Sequence, residues 1–349
     1  MANEKLIQTS HTCKEVLIQK NNNPDEVIKE ILAEETPVAI VYNGVSHVVM
    51  MVSPCDLEDF ARGFSITEGI IKSLSEIYSI EVIKKDNGIE INVEISTEKF
   101  TRLKEIRRNL TGRTGCGLCG AESLDQVLKI PKNKKNESKF STNSILKALK
   151  KFSGQQKLQK KTGATHACAL FDSKGDMIIL KEDVGRHNAL DKLIGASFNS
   201  KFLNGCFVIT SSRASYEMVQ KLAYLNLKLL VAISAPTALA LRLADQLEIT
   251  LIGFARNNRY NCYTHPKQLI GLNLIMETKN LIRMANDIGS FFVSYPDEEQ
   301  AKRDTAGHIQ KFWGRDMRKQ IKEYVTDTPE KNSQLNPFVF NAINKYLKD

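Results

Sequence analysis

Alternating apolar and polar positions mark two hairpins in the first third of the chain. Residues 37–52 form two extended runs around Asn43-Gly44, a pair that tolerates the positive φ of a tight turn. A second hairpin is predicted over residues 80–95, where apolar residues alternate after the Asp86-Asn87-Gly88 turn. Residues 57–71 show helical spacing between the two hairpins. This third of the chain therefore predicts a small α+β domain.

The middle of the chain alternates short apolar runs with helical patterns. The predicted strands cover residues 167–171, 177–180, 206–210, 229–233 and 249–254. The predicted helices follow the cap candidates Ser141 and Asn143 and begin at Asn188, Ser215 and Pro236. This alternation is typical of a mixed or mainly parallel sheet covered by helices.

The last part of the chain changes to purely helical spacing. Residues 281–292 carry an apolar stripe at positions i, i+3, i+4 and i+7. A second helix is predicted to begin at Pro296, with Asp297, Glu298 and Glu299 in its first turn. Acidic side chains there interact favourably with the positive end of the helix dipole. We expect an appended helical hairpin.

These patterns predict a division of the chain into six segments. They are a flexible N-terminus (1–24), a small α+β domain (25–130), a lysine- and asparagine-rich linker (131–140), an α/β domain (141–277), a helical domain (278–325) and a C-terminal tail (326–349).

The composition limits the classes of protein to which this chain can belong. The chain has 349 residues, 42% of them hydrophobic, which is ample for buried cores. Residues 1–15 contain no apolar signal segment, and no apolar run approaches the ~18 residues of a membrane helix, so we expect a cytoplasmic protein that does not enter a membrane. The net charge of +9 favours anionic ligands, but basic residues interleaved with aromatic ones, as in nucleic-acid binding, are absent. Seven scattered cysteines make a poor disulfide framework.

One cysteine pair stands out by its spacing and its neighbours. Cys116 and Cys119 lie three positions apart in the run Gly115-Cys-Gly-Leu-Cys-Gly120, and Arg107, Arg108 and Arg113 precede them. An accessible loop with nearby positive charge suits a cysteine that carries sulfur as a persulfide. A zinc site would need a second ligand pair, and a thioredoxin-type dithiol normally opens a helix. From the residues alone, sulfur carriage is one option among these.

Four polar loops follow predicted strands, and the first three lead into helices. They are residues 182–188, Ser211-Ser212-Arg213-Ala214-Ser215, residues 234–237, and Phe254-Ala255-Arg256-Asn257-Asn258-Arg259. In a mainly parallel sheet such loops meet at one edge, where helix N-termini and arginines bind phosphate. Arg186, Arg213, Arg256 and Arg259 therefore form a predicted pyrophosphate site, with Asp183 or Glu182 as an acceptor for a guanine edge.

Several of these motifs together resemble one known family. The motifs are Cys116-Gly-Leu-Cys119, Glu182-Asp-Val-Gly-Arg-His-Asn-Ala-Leu-Asp191, the Ser211-Ser-Arg segment, Ser234-Ala-Pro-Thr237 and the Phe254 to Arg259 loop followed by Tyr263-Thr-His-Pro266. In this order they are similar to the formate dehydrogenase accessory sulfurtransferase family, FdhD, over roughly residues 25–275.

The resemblance implies a sulfurtransferase that takes sulfur from a cysteine desulfurase. The sulfur passes through a persulfide on Cys116 to molybdenum bound by two molybdopterin guanine dinucleotides, held by residues 254–259, for use by a formate dehydrogenase. The resemblance also implies a cytidine-deaminase-like α/β/α fold and a homodimer, with the molybdenum cofactor as substrate and no metal or cofactor of the protein's own. Cys119 is expected to assist release. The alternative is a cofactor chaperone that moves no sulfur.

The C-terminal helices resemble a different family, the small delta subunit of NAD-dependent formate dehydrogenases. The likeness lies in Met284-Ala-Asn-Asp-Ile-Gly289, Phe291-Phe292 and the segment from His308 to Arg318. It implies a natural fusion in which this segment tethers the sulfur carrier to the catalytic subunit of formate dehydrogenase. A helical pair that only packs on the main domain is the competing interpretation.

Overall fold

A computed structural model describes most of the chain as two compact units. The described residues are 12–20, 23–108, 138–198, 203–256, 259–271, 278–330 and 333–348. The backbone divides into one unit over residues 1–270 and a second over residues 271–349. Along the described parts of the chain, no helix is both long enough and apolar enough to cross a membrane.

The first unit begins with an antiparallel strand pair. Strand β1 (Cys13–Lys20) pairs with β2 (Asn23–Ala33) from Cys13 opposite Ala33 onward. The prediction of a flexible N-terminus was therefore wrong for residues 13–20. The error has a physical reason: this ribbon is held mainly by backbone hydrogen bonds, and apolar side chains such as Leu17 and Val27 remain exposed instead of marking a buried face.

A four-stranded sheet follows, in the order β4-β3-β6-β5. Its strands are β3 (Thr36–Tyr42), β4 (Val45–Val52), β5 (Ile77–Lys85) and β6 (Gly88–Ile95), followed by helix α2 (Thr97–Arg108). Both predicted hairpins are present, and Asn43 and Gly44 have the positive φ values that the first turn requires. Helix α1 (Leu57–Thr67) lies between the hairpins and ends before Gly69, which has φ 71°.

A six-stranded sheet forms the centre of the first unit, in the order β13-β12-β11-β10-β8-β9. Its strands are β8 (His166–Phe171), β9 (Met177–Asp183), β10 (Phe207–Thr210), β11 (Leu229–Ala232), β12 (Thr250–Arg256) and β13 (Arg259–Cys262). Strands β10, β11 and β12 are parallel, whereas β8 is antiparallel to both neighbours. The α/β prediction with a mixed sheet is confirmed.

Helices connect these strands and also precede them. They are α3 (Thr142–Gln155), α4 (Lys157–Thr162), α5 (Arg186–Ser197), α6 (Tyr216–Ala223) and α7 (Ala238–Gln246). The predicted cap Ser141 accepts a hydrogen bond from the Ser144 N–H at the start of α3. Part of the predicted linker is structured, because Phe140–Ser141 (β7) pairs in parallel with Leu269–Ile270 (β14) and Phe140 is buried.

Helices α1 and α5 cross at very close range through two glycines. A Cβ on Gly63 would lie 1.8 Å from the Asp191 carbonyl oxygen, and one on Gly195 would lie 1.9 Å from the Asp59 carbonyl oxygen. One hydrophobic core contains buried residues of both sheets and both helices. The two domains predicted on either side of residues 131–140 thus share a core.

The second unit is a bundle of helices around its own core. Its helices are α8 (Thr278–Phe292), α9 (Glu298–Phe312), α10 (Arg315–Asp327) and α11 (Pro337–Tyr346). Asp297 caps α9 by accepting from the Glu299 and Gln300 N–H groups, instead of lying in its first turn. The prediction of a tail was wrong at α11. Val339, Phe340 and Ile343 are buried there because they share one core with the apolar stripe of α8, which the tail was not expected to cover.

Candidate functional site

The four polar loops lie along one edge of the six-stranded sheet. Because β8 is antiparallel to both β9 and β10, strands β9 to β12 all run in the same direction and their carboxyl ends share that edge. Backbone hydrogen bonds link the last three loops: Ala214 N–H donates to Ala235 O at 3.2 Å, and Phe254 N–H donates to Ser234 O at 3.1 Å. The first residue of β8, His166, lies at this same edge.

Asp183 at the end of β9 is fully buried and has four partners. Its carboxylate lies 2.6 Å from the buried Lys192 ammonium and accepts hydrogen bonds from Ser53 N–H, Gly185 N–H and the Asn188 amide. Every carboxylate oxygen is thus committed inside the protein. This network fixes the loop before α5 to the end of β4 in the four-stranded sheet. The hypothesis that Asp183 accepts a hydrogen bond from a guanine base does not fit it.

Glu182 is also committed within the protein. Its two carboxylate oxygens accept from the Leu158 and Gln159 N–H groups at 2.9 Å and 2.8 Å, at the N-terminus of α4. A carboxylate there satisfies two backbone donors that a helix leaves unpaired at its start. The guanine-acceptor hypothesis therefore does not fit this residue either.

Arg186 and His187 form the first turn of α5 at the edge. The His187 Nε2 atom lies 2.6 Å from a carboxylate oxygen of Glu217 on α6. Burial raises the pKa of Glu217, but the hydrogen bond and charge of His187 bring that pKa below its ordinary value. The Arg186 Nε atom is buried and has no hydrogen-bond partner among the described residues.

Three further arginines at the edge have solvent-exposed side chains. Arg213 follows β10, and Arg256 and Arg259 face each other directly across the β12–β13 hairpin. Asn257 and Asn258 lie outside the described residues. Exposed guanidinium groups at strand ends are suited to bidentate binding of phosphate oxygens.

The remaining predicted ligands of this edge differ in accessibility. Phe254 has φ 51° and is 46% exposed, whereas Ala255 is buried. Ser212 is buried, and its hydroxyl donates to Arg213 O at 3.0 Å, so it shapes its own loop. The Ser211 hydroxyl accepts from Ala167 N–H at 2.9 Å and lies 3.4 Å from His166 Nδ1. Phe254 thus offers an accessible ring beside the arginines, which is suited to stacking on a planar base.

The predicted carriers Cys116 and Cys119 lie outside the described residues, as does Arg113. Among the cysteines that are described, burial raises the pKa of Cys168 to about 12 and that of Cys206 to about 11. Burial likewise raises the pKa of Cys55 and Cys262. A raised pKa suppresses the thiolate, so these four are poor candidates for a sulfur carrier. No group of three metal-ligating side chains occurs within the described ranges.

Two known protein families match different parts of this chain. The model of the FdhD/NarQ family matches residues 33–270, which include both sheets and the loop edge. The chain belongs to the FdhD/NarQ family. A second model, the NADH-dependent formate dehydrogenase delta subunit FdsD, matches residues 280–343, so the bundle is similar to that subunit. Both resemblances inferred from the sequence are confirmed.

The match to relatives of this family covers most of the length of those proteins. A sulfur carrier protein FdhD from Cupriavidus necator is 51% identical over 248 residues, which are 71% of this chain and 84% of that protein. A sulfur carrier protein FdhD from Bordetella parapertussis is 47% identical over 240 residues, 68% of this chain and 87% of that protein.

A solved structure is also similar to this chain. It is a crystal structure from Desulfotalea psychrophila assigned to a formate dehydrogenase accessory protein, with a TM-score of 0.56 and 26% identity. The match covers 74% of this chain and 98% of that one. The part of the chain that is matched therefore shares its fold with that protein.

Proposed function

We propose that this protein carries sulfur for the maturation of a formate dehydrogenase. In this proposal Cys116 accepts sulfur from a cysteine desulfurase, and the edge loops bind the molybdenum cofactor, carried by two molybdopterin guanine dinucleotides, as the substrate that receives it. Two relatives named sulfur carrier protein FdhD support the carrier role. The work is expected to take place in the cytoplasm, in a homodimer.

The observation that carries the cofactor part is the placement of cationic groups along one sheet edge. Arg213, Arg256 and Arg259 have exposed side chains there, and Arg186 opens α5. Phosphate groups bind well where arginines and helix N-termini converge. The exposed Phe254 ring between the loops adds a surface for a base.

In this proposal sulfur moves by two successive thiol–disulfide exchange steps. The Cys116 thiolate attacks the outer sulfur of the desulfurase persulfide, the S–S bond of that persulfide breaks, and the desulfurase cysteine leaves as a thiolate. Cys119 then attacks the inner sulfur of the Cys116 persulfide. A Cys116–Cys119 disulfide forms and hydrosulfide is released. The hydrosulfide replaces an oxo ligand of the molybdenum substrate, which takes up a proton and leaves as water, and a dithiol reductant restores both thiols.

Intact-protein mass spectrometry tests the carrier step. The protein is incubated with a cysteine desulfurase and cysteine, and wild type is compared with Cys116→Ala and with Cys262→Ala as a cysteine control. We expect a mass increase of one sulfur atom in wild type and in Cys262→Ala, and none in Cys116→Ala. Equal adducts on all three proteins, or none on any, would remove Cys116 from the mechanism.

The same variant separates the carrier from a chaperone that only inserts cofactor. If Cys116→Ala bound cofactor and still activated formate dehydrogenase, a chaperone without sulfur transfer would be the correct function. A sulfur carrier predicts retained cofactor binding with loss of activation. Retained transfer by Cys119→Ala would show that the second cysteine is dispensable.

We also propose that the helical bundle binds a formate dehydrogenase. The match to the delta subunit model supports this, and so do the rings of Phe291 and Phe312, which are 67% and 65% exposed. Phe291 contacts Phe292, Phe292 contacts His308, and His308 contacts Phe312, so the two exposed rings belong to one aromatic cluster. Such a cluster is more typical of a binding surface than of a free one. Deletion from Lys279 onward is expected to lower formate dehydrogenase activation, and unchanged activation would refute the tether.

A further inference from the structure

A histidine at the loop edge has no role in the function proposed so far. His166 opens β8, which lies between β9 and β10, so its side chain stands opposite Asp183 in the register and next to the loop that follows β10. The imidazole is half-buried. Directly opposite residues of an antiparallel pair point to the same face of the sheet, and here that face is covered by α5.

The Ser211 hydroxyl lies beside this imidazole. Its oxygen accepts the Ala167 N–H at 2.9 Å and lies 3.4 Å from His166 Nδ1. An imidazole that takes up a proton has a donor on both ring nitrogens, so one can donate to the hydroxyl oxygen while the other donates to a bound anion.

Charged groups from each packed element act on His166. Burial lowers the pKa of His166 below 6.5, the charges of Arg186 and His187 on α5 lower it further, and Asp183 on β9 opposes them. Arg213 in the loop after β10 has an exposed side chain. The free protein therefore holds this ring neutral at neutral pH, beside two basic side chains.

Unused polar atoms lie in the same cluster. Arg186 Nε and Ser215 Oγ are both buried, and neither has a hydrogen-bond partner in the described parts of the chain. Ser215 precedes α6, the helix that carries Glu217. Buried polar atoms without partners are rare, and an anion would satisfy such donors.

We propose that His166 is a further ligand of the anionic group bound at the edge loops, and that it takes up a proton when that group binds. The proposal rests on the diphosphate binding described above and adds a residue and a proton to it. A bound diphosphate supplies negative charge that offsets Arg186 and His187. The protonated ring is then stabilised between the anion and Asp183.

Protonation of His166 and binding of the anion are thermodynamically linked. An anion that raises the pKa of His166 binds more tightly as pH falls, and the gain is complete below the pKa of the free protein. If binding raises the pKa of His166 through pH 7, each bound ligand is accompanied by the uptake of a fraction of a proton at that pH. Loss of this ligand is expected to weaken binding by roughly fivefold to tenfold.

Calorimetry on the full chain tests the proposal with guanosine diphosphate as the probe. Titrations at pH 7 in two buffers of different ionisation enthalpy give the number of protons taken up. Wild type is compared with His166→Gln and with His265→Gln, a histidine that follows the far end of β13. The proton of the nucleotide itself contributes equally to all three proteins, so the difference between them reports on the imidazole.

We expect proton uptake in wild type and His265→Gln, and its loss with weakened binding in His166→Gln. Uptake that persists unchanged in His166→Gln, with unchanged affinity, would overturn the proposal while leaving the diphosphate site intact. No binding of the nucleotide to wild type would overturn both. Because a variant can misfold, the imidazole resonances of wild type are also titrated with and without nucleotide, and an unshifted His166 pKa would equally overturn the proposal.

Discussion

The close crossing of α1 and α5 gives the sharpest prediction for stability. In Gly63→Ala the new Cβ would lie 1.8 Å from the Asp191 carbonyl oxygen and 2.9 Å from the Gly195 nitrogen, against 3.4 Å for ordinary contact. The helices would have to separate by about 1.6 Å, and both opposing atoms belong to backbone that cannot rotate away. Since overpacking typically costs about 1–3 kcal/mol when side chains can adjust, we expect a loss of at least about 3 kcal/mol here.

Urea unfolding measures this loss, with Gly154→Ala as the matched control. Gly154 lies in α3 with nothing within 4 Å of its added Cβ, so alanine is expected to stabilise by about 0.5–1 kcal/mol. Circular dichroism follows both units, whereas the single tryptophan, Trp313, lies in the core of the bundle and reports on the bundle alone.

The expected displacement reaches the loop edge, because α5 begins with Arg186 and His187. We therefore expect Gly63→Ala to bind guanosine diphosphate less tightly as well as to unfold earlier. A free energy of unfolding within about 1 kcal/mol of wild type would show that the crossing relaxes freely, and would refute the reasoning.

Three further outcomes are expected. Lys192→Met leaves the carboxylate of Asp183 buried without its ion pair and is expected to lower the free energy of unfolding by about 3–5 kcal/mol, measured by urea unfolding against Asp183→Asn/Lys192→Met, which removes both charges. The folded-state pKa of Glu217 is lowered, so its carboxylate adds stability above its ordinary value of 4.5 that is lost as pH falls through the folded pKa. Thermal unfolding of Glu217→Gln should therefore differ from wild type at pH 7 and converge with it in acid; a difference that persists there contradicts this. Phe312→Ser is expected to weaken co-purification with formate dehydrogenase without unfolding the bundle, and unchanged co-purification contradicts it.

Local signals account for what the sequence predicted of the fold. The Asn43-Gly44 turn and the Ser141 cap depend on a few adjacent residues, and the structure has both. Strand β1 has no such signal, because its pairing with β2 leaves Leu17 exposed. Helix α11 does carry a cap and a proline at its start, Asn336 and Pro337, and both are local signals of a helix N-terminus.

Some residues of the loop edge could be predicted from the sequence, and others could not. The arginines could be predicted because each follows a strand, and parallel strands end at one edge. His166 could not, since its place beside Ser211 depends on β8 entering the sheet between β9 and β10 against their direction. Asp183 was predicted to contact a ligand because it is an acidic residue in a polar loop. Its carboxylate is instead bound by four partners inside the protein. Pairings with residues distant in the sequence cannot be seen in the order of residues.

The hairpin between β12 and β13 has a consequence for how the protein behaves in solution. Arg256 and Arg259 stand directly opposite each other on the two strands, so their like charges repel when no anion is bound between them. The fold is thus under a mild self-repulsion that salt screens and a polyanion removes. Its thermal stability should rise with ionic strength and rise further with pyrophosphate. The melting temperature therefore measures the fraction of protein molecules with an anion bound at the loop edge.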